Sequence, residues 1–590
     1  MENAVLQHDP VQTIGLLKET QFMSLGSELE RQAVQRADAT ALIFEDRFIT
    51  FRELNEEANR YSNLFAGMGF KKGDVVALLM ENRPEFLIAA SGLSKLGIIV
   101  SLINNGVRGE VLAHALNICN ARSLIVGGEL LPAFMEIKDQ VKLTAPARIF
   151  IEDEGRGVEL PPGLEDIRSL LGTQNTDNPL STGQVTSDDI IVYIYTSGTT
   201  GFPKACAVTQ KRWLVLGNIF TLFGGLNPQS IQYMVLPLYH NSGFDIGYSI
   251  LLVSGSTMVL RRKFSARAFW EEVRKYQANL FIYVGELCRY IFNQPERPDD
   301  ADNPLEMITG NGMRGELMEP FRKRFGIKVL KEVYGATEGV GSFLNIEEIP
   351  GMCGNLVLGG MRQGEVIKYD LDEDVIVRNE KGFAVKCEQG DIGLLVCEIN
   401  QLNVFAGYVN NPEATEAKIM RDVLAPGDKY FNSGDLVQLH DREYISFVDR
   451  LGDTFRWKSE NVSTNQVSNV IDKFGQMEDS NVYGVKVPGM EGRCGMVAIK
   501  LQDGAVVDWE RFSDYVNEKL PSFARPYFVR IRPEIDATNS FKQVKKGLQQ
   551  EGYDPNIIND PLYFLHPDLC RYIPLTPEVY QDIVEQKVRF

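Results

Sequence analysis

The chain has 590 residues, of which 44% are hydrophobic and 24% charged, and its formal net charge is −18. A chain of this length exceeds what one hydrophobic core supports, so we expect at least two domains of ordinary globular composition. The negative charge argues against a general nucleic-acid-binding role, because such proteins favour a basic surface.

The cysteines and the apolar segments indicate the cellular compartment of the protein and whether it spans a membrane. Eight cysteines are scattered without a C-x-x-C pair, and residues 1–10 carry no apolar signal core. We therefore predict a reduced, cytoplasmic location. The best candidate for a transmembrane span, 86–103, is interrupted by Ser94 and Lys95, so we predict no span, and peripheral membrane association stays open. Five histidines without paired spacing argue against a structural zinc site.

Helix and strand signals alternate along the first part of the chain. Thr50 and Glu53 have the spacing of a capping box, which predicts the start of a helix. Further helices are predicted after Pro84 and at 110–118, and strands at 75–80, 98–103 and 123–126. This alternation favours parallel α/β layering.

A polar segment, 152–189, predicts a long surface connection. The β-branched and aromatic run 190–195 predicts a buried strand that leads into Thr196-Ser197-Gly198-Thr199-Thr200-Gly201-Phe202-Pro203-Lys204. Glycines let backbone N–H groups approach phosphate oxygens, hydroxyls donate hydrogen bonds, and Lys204 adds a charge. A Ser/Thr/Gly cluster alone is more often a flexible loop, and the spacing is not that of a P-loop. The preceding strand and the Pro-Lys favour phosphate binding.

The next segments carry weaker signals. Thr209 is a candidate N-cap for a helix that includes 213–223, and 280–284 reads as a strand. His240 lies in a Pro/Tyr/Asn/Ser/Gly turn, where a lone histidine is more often structural than functional. Gly310-Asn311-Gly312 forms a second glycine turn.

Tyr334-Gly335-Ala336-Thr337-Glu338-Gly339 places an aromatic ring, a hydroxyl and a carboxylate close together. This pattern suits a nucleotide: Tyr334 would stack on a base, Thr337 would bond a phosphate, and Glu338 would hold Mg²⁺. The alternative is a strand end and turn with an incidental glutamate.

Three further charged residues have both a functional and an ordinary interpretation. Asp435 would accept both ribose hydroxyls, or is a turn aspartate. Arg450 would bridge ribose and phosphate, or forms a surface ion pair. Lys542 would stabilise the charge that develops when a carboxylate attacks a phosphate, or belongs to a solvated basic run with Lys545 and Lys546.

The composition changes around 449–453, and residues 453–590 predict a small α+β unit of ordinary domain size. We predict strands in this unit at 482–487, 496–501 and 527–531. We predict helices at 466–474 and 509–520.

The motif 195–204 resembles the phosphate loop of the adenylate-forming superfamily, which includes acyl-CoA synthetases, luciferases and peptide-synthetase adenylation domains. The later motifs follow in that superfamily's order. Segments 449–462, 541–542, 551–555 and 560–563 resemble the branch of fatty acid transport proteins and very-long-chain acyl-CoA synthetases.

This resemblance implies an α/β fold with a large N-terminal domain of layered subdomains, 1–451, and a smaller mobile α+β domain, 452–590. It implies a ligase that uses ATP, Mg²⁺ and coenzyme A. Carboxylate and ATP would give acyl-AMP and pyrophosphate, and coenzyme A would then displace AMP. The acid would be a fatty acid of medium to very long chain. Segments 244–260 and 283–290 would line its pocket, or are ordinary core.

The motifs and the resemblance together give a set of candidate site residues. The catalytic candidates are Lys542, Glu338, Thr337 and His240, with Glu338 also the metal ligand. The nucleotide and coenzyme A candidates are Thr196, Ser197, Gly198, Thr199, Thr200, Gly201, Lys204, Gly310, Asn311, Gly312, Tyr334, Gly335, Ala336, Asp435, Arg450, Lys458, Ser459 and Glu460.

Three positions depart from the superfamily or branch pattern. Gly452 stands at the hinge where the superfamily has a charged residue, which would ease rotation. Phe541 precedes Lys542 where a glycine is usual, and Ser459 replaces a branch glycine near the coenzyme A step. Two rival functions stay open: adenylation for a carrier protein or of a non-fatty acid, and a non-catalytic lipid-handling scaffold. Oligomeric state is also open, with a homodimer as one option.

Overall fold

The computed structural model describes residues 23–157, 159–196, 202–371, 373, 375–400, 403–451, 453–458, 460–490, 492–536 and 544–590. These residues belong to two compact units. The larger unit is the chain up to Gln363 together with Glu398–Ile419, and the smaller unit is Gly364–Cys397 together with Met420–Phe590. The α/β class with a large N-terminal part and a smaller C-terminal part is confirmed. The domain boundary at 452 and the mobility of the C-terminal domain stay predictions.

Two mixed sheets with parallel interiors organise the described part of the larger unit. In spatial order, the first consists of Ser342–Leu344, Val329–Gly335, Met307–Asn311, Leu280–Val284, Ile231–Met234, Thr257–Leu260, Thr40–Phe44 and Arg47–Thr50. The second consists of Glu165–Asp166, Arg148–Glu152, Ser123–Gly127, Val75–Leu79, Ile99–Leu102, Ile190–Thr196 and Lys204–Thr209. Antiparallel strands pair only at the edges, so the predicted parallel layering is confirmed.

Helices connect these strands. The α-helices of this unit are Leu25–Gln35, Phe51–Gly67, Pro84–Lys95, Gly109–Ile118, Leu131–Met135, Ile167–Leu171, Gln210–Gly224, Ser249–Ser254, Phe269–Tyr276, Gly285–Phe292, Gly315–Phe325 and Pro412–Glu416. Two predicted N-caps are confirmed: the Thr50 hydroxyl accepts from the Glu53 N–H in a reciprocal capping box, and the Thr209 hydroxyl accepts from the Arg212 N–H. Capping satisfies N–H groups that have no partner inside the helix.

The structure corrects one sequence-based expectation and adds one strand that the sequence did not predict. The segment 152–189 is not a plain surface connection, because it contributes a strand, Glu165–Asp166, and the helix Ile167–Leu171. The Asp166 side chain caps that helix by accepting from the Arg168 N–H. In the sequence, this cap is hard to distinguish from the other polar residues of the segment. The chain after the phosphate-loop motif also forms a strand, Lys204–Thr209, which sequence reasoning missed. Its interior, Ala-Cys-Ala-Val, is mostly small residues without alternation, which is a weak strand signal.

The smaller unit contains two main sheets. One is ordered Tyr444–Arg450, Lys429–Leu439, Ile392–Glu398 and Glu365–Ile367. The other is ordered Met477–Val485, Cys494–Leu501, Phe528–Ile531, Leu562–His566 and Arg571–Pro574. The helices are Thr464–Ile471, Trp509–Lys519, Lys546–Glu551 and Pro577–Val584, and a short hairpin joins Phe455–Trp457 to Glu460–Val462. The predicted α+β character of the C-terminal segment is confirmed.

Two whole-chain features complete the fold. No helix among the described residues is both long and apolar enough to cross a membrane. All eight cysteines lie in described residues and are free thiols. Cys570 is exposed, Cys353 and Cys387 are half-buried, and the other five are buried.

Candidate active site

The strands Ile190–Thr196 and Lys204–Thr209 form an antiparallel pair that frames the phosphate-loop motif. Thr196 lies opposite Lys204, and its hydroxyl donates to the Lys204 carbonyl oxygen at 3.4 Å. The two ends of the motif are therefore paired across two antiparallel strands whose interiors are buried. Its central predicted residues lie outside the described residues: Ser197, Gly198, Thr199, Thr200 and Gly201.

The motif 334–339 begins at the end of the central strand Val329–Gly335 and continues into a turn. Gly339 has a φ of 74°, and a Cβ there would overlap the guanidinium of Arg212. One nitrogen of that guanidinium donates to the Thr337 carbonyl oxygen at 2.7 Å. The turn that carries Thr337 and Glu338 is thus held against a cation from a distant helix. Gly335 is exposed, and Ala336 is half-buried.

Glu338 and Lys204 both contact Tyr408. The Tyr408 hydroxyl donates to Glu338 Oε1 at 2.6 Å, and Lys204 Nζ lies 5.1 Å from the centre of the Tyr408 ring. Burial, followed by the charge of Glu338, raises the pKa of Tyr408 well above its usual value. The hydroxyl therefore keeps its proton and acts as a donor. The predicted phosphate-binding cation and the predicted metal ligand meet at one aromatic side chain.

The turn Gly310-Asn311-Gly312 is anchored by Glu332. This carboxylate accepts from the Gly312 and Met313 N–H groups, each at 3.0 Å, and from the Tyr283 hydroxyl at 2.5 Å. Burial raises the pKa of Glu332 to about 7, against the opposing effect of these hydrogen bonds. A Cβ at Gly310 would clash with the Tyr283 carbonyl oxygen, so glycine is required there.

His240 begins a turn that continues into a π-helix, Ser242–Tyr248. Its Nδ1 accepts from the Ser242 N–H at 3.4 Å. The neighbouring Asn241 side-chain oxygen accepts from Arg212 at 2.9 Å, and the fully buried Asp245 carboxylate lies 3.4 Å from the same guanidinium. π-Helices often occur at functional sites. Arg212 thus joins the His240 turn to the Thr337 turn.

Asp245 is a costly group to bury. Burial raises its pKa to about 6, while Arg212 lowers it, and neither carboxylate oxygen has a hydrogen-bond partner. The segment 244–260 around it is mostly buried, as is Tyr283. The assignment of 244–260 and 283–290 to an acyl pocket remains a prediction.

In the smaller unit, Asp435 and Arg450 lie opposite each other on neighbouring antiparallel strands. Arg450 Nε is 3.6 Å from Asp435 Oδ1, and the Arg450 side chain is 38% exposed while that of Asp435 is 14% exposed. The pair is only partly buried and its charged atoms are 3.6 Å apart, so it contributes little stability. The assignment of these two side chains to a ribose stays a prediction.

Asp449, which precedes the predicted hinge, is buried. Its carboxylate accepts from the Thr464 N–H at 2.8 Å and from the Thr464 hydroxyl at 2.9 Å, so it bonds across position 452. Lys545 Nζ donates to the Thr464 hydroxyl at 2.6 Å and lies 3.7 Å from Asp453. The alternative of a solvated basic run therefore does not hold for Lys545, because its side chain is only 14% exposed.

The coenzyme A candidates lie on the short hairpin of the smaller unit. Lys458 has a φ of 52°, and its Nζ contacts the Tyr527 hydroxyl at 3.1 Å. Glu460 is exposed. Gly452, Ser459, Phe541 and Lys542 lie outside the described residues.

The donor set around Glu338 fits Mg²⁺. No group of three or more His, Cys, Asp or Glu side chains suited to a metal occurs in the described part of the chain. Mg²⁺ usually binds through one or two carboxylates, waters and substrate phosphates rather than a cage of protein ligands. Glu338 is half-buried, with one oxygen bonded to Tyr408, beside the hydroxyl-bearing Thr337. One carboxylate that shares Tyr408 with the predicted phosphate-binding lysine, Lys204, fits a metal bound together with a nucleotide.

Sequence reasoning missed Arg212, Glu332 and Tyr408. Arg212 follows the Thr209 cap, but its partner Thr337 is 125 positions away. Tyr408 lies shortly before a helix whose start is recognisable from Asn411 and Pro412. That signal locates the segment, but it does not indicate a role for the Tyr408 ring. Glu332 has no signal in the sequence beyond a charge within a strand.

Comparison with known proteins adds a family. The family model described as AMP-binding enzyme matches residues 29–383. The long-chain fatty acid transport protein 2 of Rattus norvegicus is 37% identical over 551 residues, which is 93% of this chain and 88% of that protein. The medium/long-chain-fatty-acid–CoA ligase FadD6 of Mycobacterium tuberculosis is 37% identical over 564 residues, which is 95% of this chain and 91% of that ligase.

A solved structure shares the fold. The anthranilate CoA ligase AuaEII, in complex with anthranoyl-AMP, has a TM-score of 0.76 to this chain at 20% identity. The match covers 90% of this chain and 97% of that one. At this identity the similarity concerns the fold alone.

Proposed function

The chain belongs to the AMP-binding enzyme family, and from this we propose that it is an ATP-dependent fatty acyl-CoA synthetase. A fatty acid and ATP form acyl-AMP and pyrophosphate, and coenzyme A then displaces AMP to give a thioester. The proposed substrate class rests on relatives named for long-chain and medium/long-chain fatty acids.

The arrangement of Lys204, Tyr408 and Glu338 carries this proposal. A lysine and a carboxylate lie on one aromatic side chain, at the end of a glycine-rich loop motif. A polyphosphate needs a cation and polar donors, and its metal needs a carboxylate. The arrangement supports a nucleotide whose phosphates lie between the loop and Glu338.

In the first step, a carboxylate oxygen of the fatty acid attacks the α-phosphorus of ATP, and the bond to pyrophosphate breaks. Two anions must approach, so positive charge and donors have to be in place beforehand. Lys204 binds phosphate oxygens, the Thr337 hydroxyl donates to the phosphate, and Lys542 neutralises the charge between acid and phosphate. Glu338 would hold Mg²⁺, and the ion would supply further neutralisation of the phosphate oxygens. His240 orients the acid carboxylate.

Nucleoside binding is assigned to three motifs. The Tyr334 ring stacks on the base, and the 310–312 turn, held by Glu332, supplies backbone groups beside it. Asp435 accepts the ribose hydroxyls, and Arg450 bridges ribose and phosphate.

In the second step, the thiol sulfur of coenzyme A attacks the acyl carbon, and AMP leaves. We assign the passage of coenzyme A to Lys458, Ser459 and Glu460 on the hairpin of the smaller unit. A mobile C-terminal domain, 452–590, rotates at Gly452 to exchange Lys542 for this hairpin. A cytoplasmic location, with no nucleic-acid partner, belongs to the same proposal.

The test uses the full chain and a panel of acids from short to very long chain. We expect acid-dependent ATP–pyrophosphate exchange with fatty acids, followed by coenzyme-A-dependent AMP release and a thioester detectable by mass spectrometry. Exchange without thioester formation would favour a carrier-protein adenylating enzyme. No exchange with any acid would favour the scaffold function.

A further inference from the structure

Tyr408 has no role in the motifs that define the site, yet it contacts two of them. Its hydroxyl donates to Glu338 at 2.6 Å, and its ring lies 5.1 Å from Lys204 Nζ. Tyr408 is 7% exposed and therefore largely shielded from solvent, while Glu338 and Lys204 are half-buried. A single residue from a third segment therefore links the phosphate-loop cation to the 334–339 motif.

The backbone of Tyr408 is fixed independently of those contacts. Its N–H donates to the Thr415 hydroxyl at 2.9 Å, and the following Val409 N–H donates to the Ala205 carbonyl at 2.8 Å. Tyr408 also forms a β-bridge with Cys206 in the strand that begins at Lys204. The ring is thus anchored to the same strand as the lysine that it faces, which fixes its hydroxyl relative to Glu338.

Two physical effects follow from this position. A hydrogen bond to a carboxylate is stronger than one between neutral groups, so the Tyr408 hydroxyl holds one Glu338 oxygen and sets the direction of the other. The ring face attracts the ammonium of Lys204, because the face of an aromatic ring carries partial negative charge. The Tyr408 ring attracts the Lys204 ammonium, and the Tyr408 hydroxyl bonds to the Glu338 carboxylate. Each charge therefore has a partner in Tyr408, and the two need not pair with each other.

We propose that Tyr408 is a positioning residue for the metal–nucleotide complex: its hydroxyl orients Glu338 toward Mg²⁺, and its ring holds Lys204 toward the phosphates. The inference rests on the proposed function, because it takes Glu338 as the metal ligand. Its two parts are separable, since the hydroxyl acts on the metal and the ring acts on the phosphates.

The main test measures binding rather than turnover. Mn²⁺ replaces Mg²⁺ and is titrated by electron paramagnetic resonance against full-length protein with a non-hydrolysable ATP analogue. Tyr408→Phe should weaken Mn²⁺ binding about tenfold, the effect of losing one hydrogen bond to a charged group. Its affinity for the analogue without metal should stay unchanged, because the ring remains. Tyr408→Leu should weaken that metal-free affinity as well.

Tyr276→Phe is the matched control. It also removes a tyrosine hydroxyl that donates to a carboxylate, that of Asp46 at 3.4 Å, but lies away from the motifs. Its Mn²⁺ affinity should equal that of the unmodified chain. Wild-type Mn²⁺ affinity in Tyr408→Phe, or an equal loss in Tyr276→Phe, would overturn the inference.

A double-mutant cycle separates positioning from a general structural effect. In a Glu338→Gln background, Tyr408→Phe should cause no further loss of Mn²⁺ affinity, because the two residues act as one unit. Additive losses would contradict the inference even if Tyr408→Phe were partly unfolded. Failure of the proposed function looks different: the unmodified chain would show no fatty-acid-dependent pyrophosphate exchange, whatever its Mn²⁺ titration shows.

Discussion

The candidate groups of the two units are held in different ways. In the larger unit, Glu338 is held by a residue 70 positions away, and Thr337 by one 125 positions away. In the smaller unit, Asp435 meets Arg450 within one strand pair, and Asp449 bonds to a helix 15 positions on. The first arrangement needs the complete fold of its unit, whereas the second needs only a local segment. Metal and phosphate binding in the larger unit should therefore depend on long-range packing, whereas the proposed ribose contacts of Asp435 and Arg450 should depend only on their own strand pair.

Lys542→Ala should give the largest effect and sharpen this contrast. The proposed charge neutralisation contributes about 10²–10³-fold to acyl-AMP formation. The reaction of supplied acyl-AMP with coenzyme A should be almost unchanged. Single-turnover assays of the two steps measure this.

The control for Lys542 is Lys587→Ala, a lysine with a 61% exposed side chain in the same unit. Lys545 is unsuitable, because it bonds to Thr464 and lies close to Asp453. If Lys587→Ala slows adenylation as much as Lys542→Ala, a specific role for Lys542 is excluded.

Glu338→Gln should slow adenylation by about 10²-fold, because the amide keeps the shape of the side chain but binds Mg²⁺ poorly. The loss should shrink as Mg²⁺ is raised. Pyrophosphate exchange measured over a Mg²⁺ series tests this. Wild-type exchange at limiting Mg²⁺ would remove Glu338 from the metal site.

Arg212→Leu tests the long-range packing. It removes two hydrogen bonds that hold the 334–339 and 240–245 turns, so adenylation should fall about tenfold. It also leaves the buried Asp245 carboxylate without its cation, which should cost about 3 kcal/mol of stability when that group is charged.

The pH dependence of this variant has a defined sign. The pKa of Asp245 is raised by burial to about 6, above its unfolded value, so its contribution to stability is present at low pH and is lost as pH rises through 6. Removing Arg212 raises the pKa of Asp245 further, so the loss of stability with rising pH continues to higher pH. Thermal unfolding of Arg212→Leu below and above pH 6 measures this, and Asp245→Asn in the same chain should restore the lost stability. If Arg212→Leu were destabilised equally below and above pH 6, the charge of Asp245 would not be the cause.

Ser459→Gly should give the smallest effect. Removing a small side chain opens space for the pantetheine arm, so thioester formation from supplied acyl-AMP should be preserved or slightly faster. The adenylation rate should not change. A clear loss of the second step would mean that the serine hydroxyl is needed, against the steric argument.

Local patterns in the sequence predicted local structure well. The Thr50 capping box, the Thr209 cap and the strand Ile190–Thr196 depend on neighbouring residues, and the structure confirms them. The contact between Glu338 and Tyr408 joins residues 70 positions apart and depends on the tertiary fold, which no local sequence pattern encodes. The buried charges of Glu332 and Asp245 were also missed, because burial comes from packing of the whole unit.

The exposed thiol of Cys570 gives this chain a built-in attachment point. Burial raises the pKa of Cys206, Cys288 and Cys494 well above the usual thiol value, so these groups are largely protonated and shielded. A maleimide fluorophore should therefore react first at Cys570, at the far end of the sequence from the phosphate-loop motif. Time-resolved anisotropy of such a conjugate would report whether the C-terminal segment reorients when nucleotide, acid and coenzyme A are added in turn.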